Sequence, residues 1–332
     1  MRASRAAKGR YYRYAGIALL IVFLVSFSLI VIDLWERNHG KYPEKTTVEQ
    51  FVEYDGEKYE LKDNVETFVV MGLDKTSVDE GESDSYNNDK QADFIMLFVL
   101  DNEAKTVTPI HINRDTMAEM NILGLNGNPV GTVTKQIALS YNYGNGKKIS
   151  CRNTLNAVSK LLHGMKIDHY ASVTMGGVKV YNDLVGGVTL EILEDFTAVD
   201  PSLVKGAKVT LTGEQALRYV RTRDGLEDNT NIARMVRQRQ YLTALREKTV
   251  EKLEGDGEFA VELTVQMSEY IISDRSVTQM QELLSKFSAY EFNETLYLEG
   301  ENKVGEKFME FYPDEDSITE VVVKAFYRVS DK

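Results

Sequence analysis

Arginines gather in one short stretch of an otherwise acidic chain. The 332 residues carry 39 Lys and Arg against 51 Asp and Glu, a net charge of −12 at pH 7. Six arginines nevertheless fall between Arg218 and Arg239, and Arg234, Arg237 and Gln238 have the i, i+3, i+4 spacing of one helix face. Because the guanidinium fork matches phosphate oxygens, the cluster predicts an anion site, whereas any single arginine is better explained by a solvated face with ion pairs. That face is not expected to be the apolar face of the helix, which is supplied only in part by Ile232, Met235, Val236, Leu242 and Leu245.

Two aspartates stand on either side of a long polar loop. Asp74 follows the apolar run 67–73, and Asp93 precedes the apolar run 94–100. If these runs are antiparallel strands of one sheet, the carboxylates meet at the same edge. Magnesium binds one or two carboxylates together with phosphate oxygens and water, so the pair predicts a magnesium site; the alternative is that each aspartate only caps a loop. Arg114 follows a third predicted strand and would lie at an edge of the same sheet.

Alternating strands and helices predict the framework that positions these side chains. Both apolar runs are short, rich in β-forming residues and apolar on both faces, as in the central strands of a covered sheet. Residues 105–112 form a third predicted strand, although Pro109 argues against regular pairing in its middle. Further predicted elements are a hairpin turning at Asp55-Gly56, a strand over 188–193, and helices over 153–162, from Gly213 after the cap Thr212, over 232–253, and after the cap Ser276. The pattern favours a three-layer α/β domain.

The N-terminal part of the chain predicts a membrane anchor. Residues 15–32 carry no charge and would span about 27 Å as a helix, close to the roughly 30 Å of a bilayer core. This run is longer than the apolar core of a cleaved signal peptide, and no cleavage site follows it. Residues 1–14 carry basic and no acidic side chains, so the positive-inside rule keeps them in the cytoplasm. We therefore expect a cytoplasmic tail at 1–14, one transmembrane span at 15–32, a stalk and hairpin at 33–64, and an extracellular domain at 65–330.

Composition and side-chain spacing exclude several other classes of protein. The acidic body argues against general nucleic-acid binding, which needs a basic face. The lone cysteine, Cys151, excludes an intrachain disulfide and a cysteine-rich zinc site. His39, His111, His163 and His169 are too scattered for a metal cluster, and no segment has the spacing of a serine or cysteine nucleophile motif.

Six segments of the chain together resemble a known protein family. They are FVVMGLD (68–74), ADFIMLFVL (92–100), INRDT (112–116), IDHYASVTMGGVKVYNDLVGGV (167–188), LTGEQALRYVRTRD (211–224) and RMVRQRQ (234–240). In this order they resemble the LytR-CpsA-Psr family of cell-wall glycopolymer ligases. The resemblance covers about residues 65–330, and its most specific part is LTGEQALRYVRTR followed by RxxRQ.

The resemblance implies a fold and an activity. The fold is an α-β-α sandwich around a mixed central sheet. The activity is transfer of a phospho-glycopolymer, such as teichoic acid, capsule or another wall polysaccharide, from a polyprenyl-pyrophosphate carrier to peptidoglycan, with magnesium as cofactor and the lipid tail in an apolar channel. The implied partners are the lipid-linked polymer, the peptidoglycan acceptor and membrane lipid. Two alternatives stay open: a polyprenyl-pyrophosphate pyrophosphatase, and a non-catalytic lipid-binding or regulatory wall protein.

The family's site residues carry over to individual positions of this chain. Asp74 and Asp93 match the magnesium aspartates, and Arg114 matches the arginine of the family's Pro-Arg-Asp segment. The pyrophosphate ligands implied by the resemblance are Arg114, Arg221, Arg223, Arg234 and Gln238. The base that takes the proton of the attacking hydroxyl is either Asp93 or Asp115, and the sequence does not decide between them.

Three positions depart from the family pattern. The family usually has arginine two residues before the second metal aspartate, where this chain has Gln91, so that pyrophosphate contact is lost or shifts to the adjacent Lys90. Asn113 replaces the usual proline, which removes rigidity rather than charge. Asn231 stands where an acidic residue is common.

Overall fold

A computed structural model describes residues 48–75, 78 and 90–330 of the chain. The expected tail, the expected span at 15–32 and most of the expected stalk lie outside these residues. Among the residues described, none of the helices combines the length and the apolar character needed to cross a bilayer.

Sixteen strands and seven α-helices make up the described part of the chain. The strands are β1 (Phe51–Tyr54), β2 (Glu57–Leu61), β3 (Val65–Leu73), β4 (Ala92–Asp101), β5 (Thr106–Ile112), β6 (Met117–Leu123), β7 (Pro129–Gln136), β8 (His169–Thr174), β9 (Val188–Glu191), β10 (Lys208–Leu211), β11 (Ile271–Ser273), β12 (Glu291–Phe292), β13 (Leu296–Tyr297), β14 (Gly300–Val304), β15 (Met309–Pro313) and β16 (Tyr327–Val329). The helices are α1 (Lys148–Leu161), α2 (Met175–Leu184), α3 (Gly213–Arg221), α4 (Asn231–Gly255), α5 (Phe259–Met267), α6 (Val277–Ala289) and α7 (Glu315–Phe326).

The central sheet is mixed and has the order β11-β8-β3-β4-β5, with β12 and β13 on the outer side of β5. Strand β3 is parallel to β8 and antiparallel to β4, and β4 is antiparallel to β5. The two apolar runs are neighbouring antiparallel strands, so the condition under which the two aspartates were expected to meet is fulfilled. Their carboxylate-bearing ends meet at one edge, as the sequence argument required.

Helices cover both faces of this sheet. On one face, Val69 and Leu97 share a core with Val158 of α1 and Val322 of α7. On the other face, Phe68 packs with α6, and α4 and α5 also lie over the sheet. Successive strand residues point to opposite faces, so a sheet covered on both sides needs strands that are apolar throughout. The chain therefore has the expected α/β architecture.

Pro109 does not interrupt β5, contrary to the expectation from its missing N–H. Along one side the strand pairs with β4 without a break, and Pro109 lies opposite Phe98. On the other side the partners are two short strands, which pair with β5 on either side of Pro109 but not opposite it. The gap between β12 and β13 thus falls where the strand has no donor to offer.

The predicted helix caps are confirmed. Thr212 accepts a hydrogen bond from the backbone N–H of Gln215, whose side chain bonds back to the N–H of Thr212. Ser276 and Gln279 form the same reciprocal arrangement at the start of α6. Such capping boxes satisfy backbone donors that the first turn of a helix leaves unpaired.

Helix α1 begins five residues before its predicted start. Its first residue is Lys148, and the preceding Lys147 makes no side-chain capping bond, so the sequence carried no start signal. The buried face includes Cys151 and Thr154, whereas Leu155 is only partly buried.

Candidate functional site

The two predicted metal aspartates lie at one end of the central sheet. Gly72 of β3 pairs with Phe94 of β4, but the next residue of β3 pairs with Ala92. This shift leaves Asp93 as an extra residue in the ladder, and such a β-bulge re-aims a side chain at an edge. Asp74 follows directly after β3. Both carboxylates are thereby placed at the same edge of the sheet.

Arg114 connects this edge to the end of β5. Its guanidinium donates hydrogen bonds to the carboxylate of Asp93 and to the amide oxygen of Gln91. Its Nε lies 3.5 Å from a carboxylate oxygen of Asp115. The position that departs from the family pattern, Gln91, therefore holds Arg114 in place. An arginine there would instead set a second cation against Arg114.

Arg234 comes to the same place from the first turn of α4. It is 4% exposed, donates to the side chain of Asn231, and its Nη2 lies 3.5 Å from the backbone oxygen of Asp93. Burial lowers the pKa of Arg234 to about 10; Asp93 opposes this shift, and Arg223 and Arg114 add to it. Arg234 is still a cation near neutral pH, in a group that we call the arginine–aspartate cluster. The cluster consists of Asp93, Arg114, Asp115, Arg223 and Arg234.

The face of α4 that carries Arg234, Arg237 and Gln238 is buried, which corrects the expected orientation of the helix. All three side chains are buried, whereas Ile232 and Val236, assigned to the apolar face, are 50% and 40% exposed. A helix face this polar can be buried only if its groups find partners, because unpaired polar atoms are costly away from water. The partners are the side chains of Asn231 and Glu194 and backbone oxygens at the end of α3.

Arg237 is a structural residue and not part of the cluster. It donates to the carboxylate of Glu194 and to the backbone oxygens of Tyr219 and Thr222, the latter two being bonds to the end of α3 and the residue after it. Its guanidinium also lies 5.2 Å from the ring centroid of Phe196. Arg237 thus fixes the backbone of the motif YVRTR (219–223), which carries Arg221 and Arg223.

Those two motif arginines have different surroundings. Arg221 is the last residue of α3, and its Nη2 lies 3.2 Å from Asp74 Oδ1. Its side chain is 57% exposed and can therefore meet a ligand from solvent. Arg223 is half-buried and acts electrostatically on both Asp115 and Arg234.

Gln238 and Lys90 complete the set of predicted pyrophosphate ligands. Gln238 Nε2 donates to the backbone oxygen of Val220 at 3.1 Å, and its buried Oε1 has no hydrogen-bond partner within the described part of the chain. Lys90 is half-buried directly before Gln91. Gln238 is held against the end of α3, next to the motif arginines.

Asp115 lies behind Arg114, away from solvent. It is 7% exposed, and Gln136 Nε2 donates to its carboxylate at 3.0 Å and to the backbone oxygen of Met309 at 2.6 Å. Burial raises the pKa of Asp115, and the neighbouring arginines, Arg114 foremost, oppose the rise. This environment suits a residue that orients Arg114.

Two residues that depart from the family pattern bind each other. Asn231 Nδ2 donates to Asn113 Oδ1 at 2.7 Å, and the same oxygen accepts the backbone N–H of Asp115 at 2.9 Å. Asn231 in turn accepts from Arg234. The amide pair therefore joins the start of α4 to the residues after β5. Because Asn231 is neutral, it holds Arg234 without cancelling the charge.

Coupling between these two asparagines is testable by a double-mutant cycle. Replacing Asn231 with Asp sets a carboxylate oxygen against Asn113 Oδ1, so we expect a loss of about 1–3 kcal/mol in unfolding free energy. Adding Asn113→Pro removes the opposing oxygen, and the double variant should be more stable than the sum of the two single effects. Thermal unfolding of the four proteins measures this difference. As a control, Asn113→Pro combined with Asn182→Asp, a distant buried site, should be additive within about 0.5 kcal/mol; additivity in the first pair would remove the coupling.

Some members of the site could not be found from the sequence. Gln136 lies 21 residues after Asp115 and has no motif around it. Asn231 was noted only as a departure, and Gln91 only as a missing contact. Each acquires a role through side chains that are distant in the chain, so local spacing carries no signal for it.

The donors at the sheet edge suit magnesium. Asp74 and Asp93 supply oxygen ligands, and magnesium is commonly held by one or two carboxylates together with water and phosphate. Across residues 48–75, 78 and 90–330, no group of three or more His, Cys, Asp or Glu side chains is placed to hold a metal ion.

A cavity of about 730 Å³ lies between the central sheet and helices α4, α5 and α6. Its walls are mostly apolar and include Phe68 and Met96 from the sheet and Leu242, Leu263 and Phe287 from the helices. Strand β4 and helix α4 each contribute to both the cavity and the arginine–aspartate cluster. The arrangement therefore suits an amphiphile with an apolar tail and an anionic head.

Comparison with known proteins agrees with this geometry. The model of the LytR-CpsA-Psr family matches residues 35–325. A polyisoprenyl-teichoic acid–peptidoglycan teichoic acid transferase, TagU of Bacillus licheniformis, is 27% identical over 257 residues, which are 75% of this chain and 73% of that protein. The crystal structure of TagV from Bacillus subtilis matches 80% of this chain and 97% of its own at 22% identity and a TM-score of 0.59. A structure of TagT bound to LIIa-WTA matches 83% and 95% at 20% identity, also with a TM-score of 0.59. The two structures support the fold, and the match to the family model across most of the domain shows that the chain belongs to the LytR-CpsA-Psr family.

Proposed function

We propose that this chain is a membrane-anchored phosphotransferase, which moves a phospho-glycopolymer from a polyprenyl-pyrophosphate carrier to peptidoglycan. The observation that carries the proposal is the position of the arginine–aspartate cluster beside the 730 Å³ apolar cavity. The name of the relative from Bacillus licheniformis supports the same reaction and makes teichoic acid the first polymer to test.

The site divides the donor between two environments. The apolar cavity takes the polyprenyl tail, whose burial stabilises the complex in proportion to the area removed from water. Arg114, Arg221, Arg223 and Arg234 bind the pyrophosphate oxygens by charge-assisted hydrogen bonds. Magnesium, when bound by Asp74 and Asp93, supplies further positive charge for the pyrophosphate.

The reaction needs positioning and charge neutralisation more than covalent catalysis. An acceptor hydroxyl oxygen on peptidoglycan forms a new bond to the polymer-side phosphorus. The bond between that phosphorus and the bridging oxygen breaks, and polyprenyl phosphate leaves with both electrons. Arg114 and Arg234 stabilise the charge that develops on the phosphoryl oxygens.

The proton of the attacking hydroxyl requires a base near the solvent-facing side of the cluster. The side chain of Asp93 is 25% exposed and that of Asp115 is 10% exposed. Exposure therefore favours Asp93 as the residue that reaches the acceptor. Asp115, held by Gln136, is better suited to orient Arg114.

The proposed topology follows from the sequence. Residues 15–32 would anchor the chain in the cell membrane, with residues 1–14 in the cytoplasm and the catalytic domain outside. This topology would put the catalytic domain on the outer side of the membrane that holds the polyprenyl carrier. The peptidoglycan acceptor lies on the same side.

One experiment separates this function from its alternatives. The full chain is incubated with a polyprenyl-pyrophosphate-linked teichoic acid precursor, with and without peptidoglycan fragments. We expect a phosphodiester-linked product only when the acceptor is present, and a loss of about 100-fold in Arg221→Gln, because an exposed cation at the pyrophosphate is removed. Release of polyprenyl phosphate without an acceptor would favour the pyrophosphatase. Binding of the donor without any turnover would favour the non-catalytic lipid-binding protein.

A further inference from the structure

Three side chains on different elements lie between the arginine–aspartate cluster and the apolar cavity. On β4, Phe94 lies between Asp93 of the cluster and Met96 of the cavity wall. On β5, His111 pairs with Met96 and lies two residues beyond Pro109, which also lines the cavity. The rings of Phe94 and His111 are in contact, with centroids 5.0 Å apart.

Helix α4 contributes the third of these side chains. Arg239 follows Arg234 of the cluster and precedes Leu242 of the cavity wall, and Arg239 itself lines the cavity. Its guanidinium lies 5.3 Å from the ring centroid of Tyr297 on β13, the strand that pairs with β5 at His111. We call Phe94, His111 and Arg239 the neck, because each lies between the cluster and the cavity on its own element.

The two polar side chains of the neck, His111 and Arg239, have unused capacity for hydrogen bonds or ion pairs. His111 is 1% exposed, and its Nδ1 has no hydrogen-bond partner among the residues described. Arg239 is half-buried and forms no ion pair with any carboxylate in residues 48–75, 78 and 90–330. Burial, with Arg239 and Arg234 nearby, lowers the pKa of His111 to about 3, so the imidazole is neutral and offers one N–H. A partly desolvated cation near an unpaired imidazole nitrogen favours an anionic partner.

Two other arginines in the cavity wall show the contrast. Arg246 donates to the backbone oxygen of Tyr290 at 3.1 Å and stacks on Phe292. Arg275 donates to the carboxylate of Glu66. Both donate to an acceptor within the protein, although the buried Nε of Arg246 has no partner among the described residues. Arg239 contacts the ring of Tyr297 and lies at the end of the cavity nearest the cluster, where its charge is available to a ligand.

We propose that the neck is a second anion subsite, which binds the lipid-side phosphate of the polyprenyl pyrophosphate, while the cluster binds the polymer-side phosphate. The inference rests on the proposed function, since it needs a lipid tail in the cavity. The lipid-side phosphate stays on the carrier when the bridging bond breaks. The neck therefore also holds the leaving product, a polyprenyl monophosphate.

The test compares two probes that share a tail. Farnesyl monophosphate and farnesol are titrated into the full chain in detergent micelles, and the ratio of their Kd values reports on the phosphate alone. We expect wild type to prefer the monophosphate, and Arg239→Gln to reduce the preference about ten- to hundredfold, the loss for a hydrogen bond to a charged group. His111→Leu should reduce it about tenfold, and His111→Gln, which keeps an N–H donor, should lose less. Farnesol should bind all four proteins alike.

Arg246→Gln is the matched control, since it removes an arginine from the same helix and the same cavity. Its ratio of Kd values should equal that of wild type. A wild-type preference that survives in both Arg239→Gln and His111→Leu overturns the neck and leaves the proposed function standing. If Arg114→Gln removes the preference while the neck variants keep it, the phosphate binds in the cluster. That result also overturns the neck and leaves the proposed function standing. A wild-type chain that binds neither probe contradicts the lipid-carrier function itself.

Discussion

Replacing Asp93 with asparagine should lower the rate of polymer transfer by about 100-fold or more without unfolding the protein. The amide keeps the shape of the side chain at the β-bulge but loses its negative charge. It therefore cannot balance Arg114 or hold magnesium as a carboxylate does, and it cannot accept the proton of the acceptor hydroxyl. The rate is measured with a lipid-linked teichoic acid precursor and peptidoglycan fragments, and the fold is checked by thermal unfolding.

The control for this variant is Asp101→Asn at the other end of β4. Asp101 lies 3.6 Å from Lys62 Nζ and accepts the backbone N–H groups of Glu103 and Ala104. Its replacement should leave transfer near the wild-type rate. Full transfer by Asp93→Asn would exclude its carboxylate from the chemistry, and equal losses in both variants would indicate a general effect on the strand.

Replacing Arg237 with methionine should have the largest effect on stability, a loss of about 3–5 kcal/mol in unfolding free energy. The side chain is 1% exposed, and its removal leaves the Glu194 carboxylate and the backbone oxygens of Tyr219 and Thr222 without their donor. Breaking a buried ion pair from one side costs more than the pair contributes, because a buried charge is left unpaired. Thermal unfolding followed by circular dichroism should show a decrease in Tm of about 10 °C.

Arg218→Met provides the comparison on the neighbouring helix α3. The side chain of Arg218 is 43% exposed and lies 3.5 Å from Asp200 and 3.7 Å from Glu214. Exposed pairs of this kind contribute about 0–1 kcal/mol. If Arg237→Met were no more destabilising than Arg218→Met, Arg237 would not be a structural residue, and its assignment outside the site would have to be reversed.

These variants separate two roles within a single run of arginines. The guanidinium of Arg237 is bonded to α3 and Glu194, and Arg218 forms ion pairs with acidic side chains on the surface. Arg114, Arg221, Arg223 and Arg234 remain near the carboxylates at the sheet edge and are the ones that we propose to receive pyrophosphate. Fewer arginines are therefore available to a ligand than the count between Arg218 and Arg239 indicates, and those that are available lie together at the sheet edge.

Local sequence signals were reliable wherever the chain's own neighbours decide the structure. The two central strands β3 and β4, the hairpin at Asp55-Gly56 and the helix caps Thr212 and Ser276 were all predicted correctly. Each depends on residues a few positions apart, or on strands that are apolar on both faces. Motif order was also sufficient to identify the family.

The orientation of α4 could not be predicted in this way. Helical spacing correctly placed Arg234, Arg237 and Gln238 on one face, but a polar face is expected to be solvated. It is buried because Glu194, the end of α3 and Asn231 supply partners from distant parts of the chain.

By itself, the sequence determined the α/β class, the two apolar strands that flank Asp74 and Asp93, and membership of the LytR-CpsA-Psr family. Only the tertiary structure decided which arginines lie at the sheet edge with the carboxylates and which are held by buried contacts elsewhere in the protein. It also placed the cluster beside the apolar cavity, with His111 and Arg239 between them. The physical reason is that a charged side chain has no fixed role of its own: the carboxylates and carbonyls that surround it after folding decide whether its charge is cancelled or left for a ligand.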